Sequence, residues 1–99
     1  MSTFRKKSVV IEAFQMTRER RKNPSEWPTW LKEAWDKEAG ELGSVYPSQY
    51  SFDKTDKLLV QTLEGFLIIG WDDWIIQGVK GELYPCKPDI FAETYELVP

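Results

Sequence analysis

The residues best suited to catalysis in this sequence are one cysteine and several carboxylates, because the 99 residues include no histidine. The lack of histidine excludes Ser-His-Asp and Cys-His catalysis and imidazole metal sites. Cys86 is followed by Lys87 and the expected start of a helix, an environment that lowers the pKa of a thiol. Free cysteines are nevertheless commonly buried as small apolar residues, so we interpret Cys86 as a strand residue rather than a nucleophile.

The carboxylates Asp72 and Asp73 are adjacent, and Glu82, Asp89 and Glu93 follow them. Carboxylate pairs can transfer protons or hold Mg²⁺. Adjacent side chains in a turn usually point apart, and Asp is a common turn residue in its own right. The sequence also lacks a phosphate-binding loop, a dinucleotide fingerprint and a nucleophile elbow. It therefore predicts a protein that is not an enzyme and needs no cofactor or metal.

Binding chemistry is concentrated between Lys80 and Lys87. Gly81 permits close backbone approach, Tyr84 can stack on a planar ring, and Lys87 precedes a helix N-terminus, where an anion can dock. Trp71 lies in a turn beside two aspartates, where burial is difficult. The alternative is that this stretch supplies only hairpin and cap chemistry. The predicted ligand or partner site comprises Trp71, Asp72, Asp73, Lys80, Gly81, Tyr84 and Lys87.

The N-terminal half must provide a strand and a helix. Residues 8–16 carry apolar side chains on both faces, which predicts an internal strand. Residues 17–23 are polar and basic and predict a loop, and residues 41–56 predict a long loop with a short strand near Val45. An amphipathic helix is expected to begin near Pro28, after an earlier helical turn at 23–26, and to end at Gly40. Its apolar stripe, interpreted as core or in part as an interface, comprises Trp27, Trp30, Leu31, Ala34 and Trp35.

The last forty residues predict a meander of strands that ends in a short helix. Pro88 suits the first position of this helix, which should run to about Tyr95. Together these elements predict an α+β fold with a small, mostly antiparallel sheet of about five strands, one amphipathic helix and a short C-terminal helix. We expect all of it to form a single domain over residues 1–99. The four C-terminal strands are expected at 57–63, 66–70, 74–77 and 82–86.

Residues 70–96 read GWDDWIIQGVKGELYPCKPDIFAETYE. This segment resembles the C-terminal signature of a family of small phage and prophage proteins of unknown function, related to the family named for its PGDYG motif. The opening KKSVVIEAFQM is similar to the usual start of such proteins. The resemblance implies a phage-type domain and carries no established activity. Where the wider family has Pro-Gly-Asp, this chain has Trp71, Asp72 and Asp73, so we expect a turn other than the type II turn that needs glycine.

Charge and cysteine content limit the setting of the protein. The net charge is −3, which does not favour nucleic-acid binding, although residues 1–57 carry 11 basic and 9 acidic side chains and residues 58–99 carry 2 and 7. The basic cluster at 18–22 is expected to be a solvated face. One cysteine allows no intrachain disulfide. No apolar run is long enough for a membrane span, and no signal-peptide core is present, so we expect a cytoplasmic protein with no membrane contact.

Two function classes remain. The preferred hypothesis is a phage-encoded accessory protein that binds a host or phage protein non-covalently, for example as an inhibitor of a host defence enzyme. The alternative is a small-ligand module that sequesters a nucleotide or another anionic metabolite through Trp71, Lys80, Tyr84 and Lys87. A pocket at the second hairpin lined by both Tyr84 and Lys87 would favour the alternative, and a convex, fully packed surface there would favour protein binding.

Overall fold

The computed structural model describes residues 1–5, 7–48 and 57–99. The predicted α+β class is confirmed, with six strands and three α-helices in this part of the chain. In chain order the elements are β1 (Glu12–Gln15), α1 (Arg18–Lys22), a 3-10 turn (Pro24–Glu26), α2 (Thr29–Asp36), β2 (Val45–Pro47), β3 (Leu58–Thr62), β4 (Gly65–Ile69), β5 (Trp74–Gln77), β6 (Leu83–Cys86) and α3 (Pro88–Thr94).

The strands form two antiparallel three-stranded sheets rather than one sheet of about five strands. One sheet has the order β1-β5-β6 and the other has the order β2-β3-β4. The chain passes from one sheet to the other at the turn 70–73, between β4 and β5. There the Asp72 N–H donates to the Met16 carbonyl at 2.8 Å, and the Met16 N–H donates to the Asp73 carbonyl at 2.9 Å. These two bonds guide β5 alongside β1 and away from β4.

The core lies between the sheets and α2. It combines both central strands with the apolar stripe of the helix, from which Leu31 and Ala34 are fully buried. Trp27 is also buried, whereas Trp30 is partly buried and Trp35 is 38% exposed. Most of the apolar stripe therefore belongs to the core, and its C-terminal end lies at the surface. The other buried members of the core are Met16, Val45, Leu58, Val60, Ile69, Ile75 and Leu83.

The prediction of a loop at 17–23 was wrong, because α1 occupies residues 18–22. This helix has no buried residue and hence no apolar periodicity to detect. Its ends are fixed locally instead: the Thr17 hydroxyl accepts the Arg20 N–H at 3.1 Å, and the Asn23 side chain caps the following 3-10 turn by accepting the Ser25 N–H. The early helical turn predicted at 23–26 is confirmed.

The expectation of an internal strand over 8–16 was also wrong. Only Glu12–Gln15 is a strand, and among the described residues it pairs with β5 alone and so lies at the edge of its sheet. Residues 8–10 are exposed. The helix α2 begins directly after Pro28, as predicted, but it ends at Asp36 rather than at Gly40. A short strand at Val45 is confirmed, and residues 49–56 of the predicted long loop lie outside the described part.

Candidate functional site

The seven predicted site residues separate into two groups at opposite ends of β5 and β6. Trp71, Asp72, Asp73 and Lys87 lie at the end where β5 begins and β6 finishes. Lys80, Gly81 and Tyr84 lie at the other end, in the hairpin that joins the two strands and in β6 itself. The predicted combination of Tyr84 with Lys87 in one pocket is therefore not formed.

Asp73 organises the first group from inside the protein. The residue is 2% exposed, and its Oδ2 accepts hydrogen bonds from the Gly70 N–H at 2.7 Å and from the Lys87 ammonium at 3.3 Å. The carboxylate thereby closes the turn 70–73 on itself, and it ties β5 to the residue that follows β6. Lys87 forms an ion pair with Asp73, so its ammonium group is already engaged and does not wait for an anion at the start of α3.

Asp72 has a left-handed backbone with a φ of 68°, and in the described part no other non-glycine residue has a positive φ. The Asp73 N–H donates to the Gly70 carbonyl at 3.2 Å, and the positive φ falls on the third of the four turn residues. This is the pattern of a type II turn. The expectation of another turn type was wrong: Asp72 adopts the conformation that glycine would adopt more easily.

Two further side chains at this end are held by neighbours. The Trp71 ring is half-buried, and the Arg18 guanidinium lies 5.3 Å from its centroid. Cys86 is half-buried, and burial, followed by the charges of Asp73 and Asp89, raises the pKa of its thiol. A raised pKa keeps the sulfur protonated, which is opposite to what a nucleophile needs.

The second group lines a cleft of about 510 Å³ between the tips of the β3–β4 and β5–β6 hairpins, which we call the hairpin cleft. Its charged residues balance, with Lys37 and Lys80 against Glu64 and Glu82. The volume is typical of small-molecule sites, whose walls are mostly apolar. The apolar walls are formed by Leu42, Leu63, Leu67 and Leu83, with Tyr84 beside them.

The hairpin at the rim of this cleft is fixed by its own backbone. The Gly78 N–H donates to the Glu82 carbonyl at 2.8 Å, and the Glu82 carboxylate accepts the Lys80 N–H at 2.9 Å. Gly81 has a φ of 83°, and a Cβ there would meet nothing within 4 Å. Its glycine is thus required by conformation rather than by a close approach.

The Tyr84 hydroxyl has a strongly raised pKa. Burial, followed by a hydrogen bond with the Tyr95 side chain, raises the pKa of Tyr84 to about 12. Tyr95 in turn stacks on Phe91, which stacks on Trp74 at a centroid distance of 4.2 Å. This series of rings fixes α3 on its sheet and holds Tyr84 in place at the cleft.

The strand beside the hairpin cleft has an unusually apolar exposed surface. In the described part β4 pairs with β3 alone, so its other edge has no strand neighbour. Leu67 is 44% exposed and Ile68 is 57% exposed, and Leu63 in the adjoining turn is almost fully exposed. Edge strands in natural proteins usually carry a charge, a proline or a bulge. β4 has no charged residue and no proline between Gly65 and Ile69.

Residues of β4 were absent from the predicted site, although the sequence contained a usable signal. Phe66, Leu67, Ile68 and Ile69 form an apolar run without alternation. Such a run indicates a strand covered on both faces. In a chain of this size two sheets and one helix cannot cover every face, so one apolar face of this run had to be exposed or occupied by a partner.

Metal chemistry finds no support among the described residues, which contain no group of three or more His, Cys, Asp or Glu placed to hold an ion. Asp72 is exposed while Asp73 is buried, so the two carboxylates do not act as a pair.

None of the helices in the described ranges is long and apolar enough to cross a bilayer.

Comparison of the chain with protein-family models, with curated proteins and with solved structures finds no match.

Proposed function

We propose that this chain is a small phage-encoded accessory protein that binds a host or phage protein without chemistry. The phage setting is supported by the resemblance of residues 70–96 alone. The binding role is carried by one observation: an uncharged edge strand with two exposed aliphatic side chains borders an apolar cleft.

The chemistry of this surface defines the partner segment. An exposed strand edge presents unpaired N–H and C=O groups, and an extended segment of another protein satisfies them by adding a strand. Because β4 carries no charge and the charges of the hairpin cleft balance, the surface favours a segment that is itself apolar and uncharged. An apolar side chain of that segment would enter the cleft between Leu67 and Leu83.

The same balance weighs against a small anion in the hairpin cleft. Lys80 and Tyr84 line the cleft as predicted, but Glu64 and Glu82 offset the positive charge of Lys37 and Lys80. Lys87 and Trp71, the other two residues of the ligand hypothesis, lie at the far end of the sheet. Protein binding is therefore the function that this site supports best.

Affinity capture from host lysate with matched variants tests the proposal. Ile68→Lys places a charge on the exposed face of β4, and Val79→Lys places the same charge on the neighbouring hairpin, where Val79 is 71% exposed. We expect the wild-type chain and Val79→Lys to retain one stoichiometric protein. Ile68→Lys should weaken its capture at least about tenfold, because a hot-spot side chain loses its apolar contact.

Far-UV circular dichroism of both variants controls for folding. Equal capture by Ile68→Lys and the wild-type chain would contradict the assignment of β4, and repeated recovery of no stoichiometric protein would contradict the function itself.

A further inference from the structure

A second cleft, of about 600 Å³, lies between α1, the 3-10 turn and the helix α2. We call it the α1–α2 cleft. It shares no residue with the hairpin cleft and none with the predicted site. The residues that matter for its chemistry are Arg21, Lys22, Lys32, Trp35 and Asp36.

The charges of the α1–α2 cleft do not balance. Among the described residues of the cleft, Lys22 and Lys32 stand against the single carboxylate of Asp36. Within the described ranges, neither Lys22 nor Lys32 has a carboxylate within ion-pair distance, and both side chains are exposed. An excess of positive charge in a concave site raises the local concentration of anions. The chain as a whole is acidic, so this excess is a local property of the cleft.

An aromatic ring is held at the wall of the same cleft. Trp35 is 38% exposed although it belongs to the apolar stripe of α2. It packs edge-to-face on Trp27 at a centroid distance of 5.7 Å, and the Trp27 Nε1–H donates to the Arg20 carbonyl at 2.7 Å. The Arg21 guanidinium lies 5.3 Å from the centroid of Trp35. The ring is thus fixed, partly open to solvent and adjacent to positive charge.

From this juxtaposition we propose that the α1–α2 cleft binds a nucleotide, with the planar base against Trp35 and the phosphates at Lys22 and Lys32. Bases stack on aromatic side chains irrespective of sequence, and ammonium groups serve as point charges for phosphate. The cleft volume lies in the range of small-molecule sites. A net charge of −3 disfavours a long polyanion, which must lie along much of the surface, so the ligand is a free nucleotide rather than a nucleic acid.

This proposal is independent of protein binding at β4, and different residues carry it. The experiment is a titration of the ¹⁵N-labelled full chain, followed through the indole and backbone N–H signals. ATP is the probe, tripolyphosphate supplies the charge without a ring, and adenosine supplies the ring without a charge. We expect saturable shifts at the Trp35 indole and at the Lys22 and Lys32 amides with ATP, and at least about tenfold weaker binding of either partial ligand.

Variants identify the groups that carry the binding. Trp35→Ala should weaken ATP binding about tenfold, and Trp35→Phe should keep most of the affinity because a ring remains for stacking. Replacing Lys22 and Lys32 together by Gln should also weaken it about tenfold. Lys80→Gln, in the hairpin cleft, should leave it unchanged. If Trp35→Ala does not fold, the Trp35→Phe variant and the double Lys variant still test whether the ring and the two ammonium groups bind ATP.

Three results would overturn the proposal. The first is the absence of a saturable shift at Trp35 with millimolar ATP. The second is equal affinity for tripolyphosphate and ATP, which would reduce the cleft to a non-specific positive surface. The third is an oligothymidylate that binds more tightly than ATP with the same residues shifted, which would identify the ligand as a single-stranded nucleic acid.

Discussion

The two turns that flank β5 use a carboxylate in the same way but in opposite environments. In the turn 70–73, before the strand, Asp73 accepts the Gly70 N–H from a position that is 2% exposed. In the hairpin 78–82, after the strand, Glu82 accepts the Lys80 N–H from an exposed position. One turn is closed around its carboxylate, and the other is open to the hairpin cleft.

The difference separates stabilising residues from residues available to a partner. A buried backbone donor that loses its acceptor retains the full cost of desolvation, whereas an exposed donor turns to water. The first turn therefore contributes mainly to the fold, even though Trp71, Asp72, Asp73 and Lys87 all belong to the predicted site. The second turn contributes less to stability and leaves Lys80 and Tyr84 at the surface of a cleft.

The largest expected effect tests this separation directly. Asp73→Ala removes the acceptor of the Gly70 N–H and the partner of Lys87, and we expect it to lower the free energy of unfolding by about 3 kcal/mol. Glu82→Ala removes the corresponding acceptor in the open hairpin, and its expected cost is less than about 1 kcal/mol. Urea denaturation of both variants measures the difference.

A third variant divides the effect of Asp73 between its two partners. The Lys87 side chain is 65% exposed but Asp73 is buried, so Lys87→Met should cost about 1–2 kcal/mol, because it leaves the Asp73 carboxylate without its counter-charge. Equal losses for Asp73→Ala and Glu82→Ala would show that burial does not distinguish the two turns.

A smaller effect of opposite sign is expected at Asp72. Its φ of 68° strains a side chain with a Cβ, whereas Gly81 in the second turn has a φ of 83° without that strain. Asp72→Gly should therefore raise the free energy of unfolding by about 0.5–1 kcal/mol, after the greater flexibility of an unfolded glycine is deducted. The Asp72 carbonyl also accepts the Gln15 side-chain amide at 3.0 Å, a bond that both residue types can keep.

Asp72→Ala is the matched control, because alanine has a Cβ but lacks the local hydrogen bonding that helps Asp into this conformation. It should be less stable than the wild-type chain by thermal unfolding. A glycine variant that is no more stable than the alanine variant would rule out backbone strain at this position.

The C-terminal strands illustrate what local sequence can predict. The bounds of β3 to β6 were predicted to within one or two residues. The signals were the tight-turn glycines at 65 and 81 and the apolar runs next to them. The pairing of the strands was harder to predict, because a meander pattern predicts that each strand pairs with the next strand in the sequence. The separation of β4 from β5 depends on bonds between the turn 70–73 and Met16, which are remote along the chain.

The site was predictable only in part for a related reason. Lys80, Gly81 and Tyr84 were identified from a single hairpin, and they do share a cleft. Leu42 and Lys37 join that cleft from distant segments, and no local pattern marks them. The basic cluster of α1 was interpreted as solvated, yet Arg18, Arg20 and Arg21 each lie over an aromatic ring. Cation–π contacts of this kind depend on the tertiary fold rather than on spacing.

An effect that depends on pH is expected at Tyr84, which lies at the open end of the sheet. Its pKa is about 12 in the folded chain against an ordinary value of 10.0, because burial and the hydrogen bond with Tyr95 favour the protonated phenol. The folded state therefore binds this proton more tightly than the unfolded state does. Its contribution to stability is fully present below pH 10 and is lost as the pH rises from 10 to 12.

Urea denaturation of the wild-type chain and of Tyr84→Phe across this range measures that contribution. Both chains should carry Cys86→Ala, because the raised pKa of the thiol adds a separate loss of stability as the pH rises above 9.0. The Phe variant should lose less stability between pH 10 and pH 12. Parallel curves would contradict the raised pKa, and would show that neither burial nor the hydrogen bond with Tyr95 holds the Tyr84 phenol in its protonated form at the hairpin cleft.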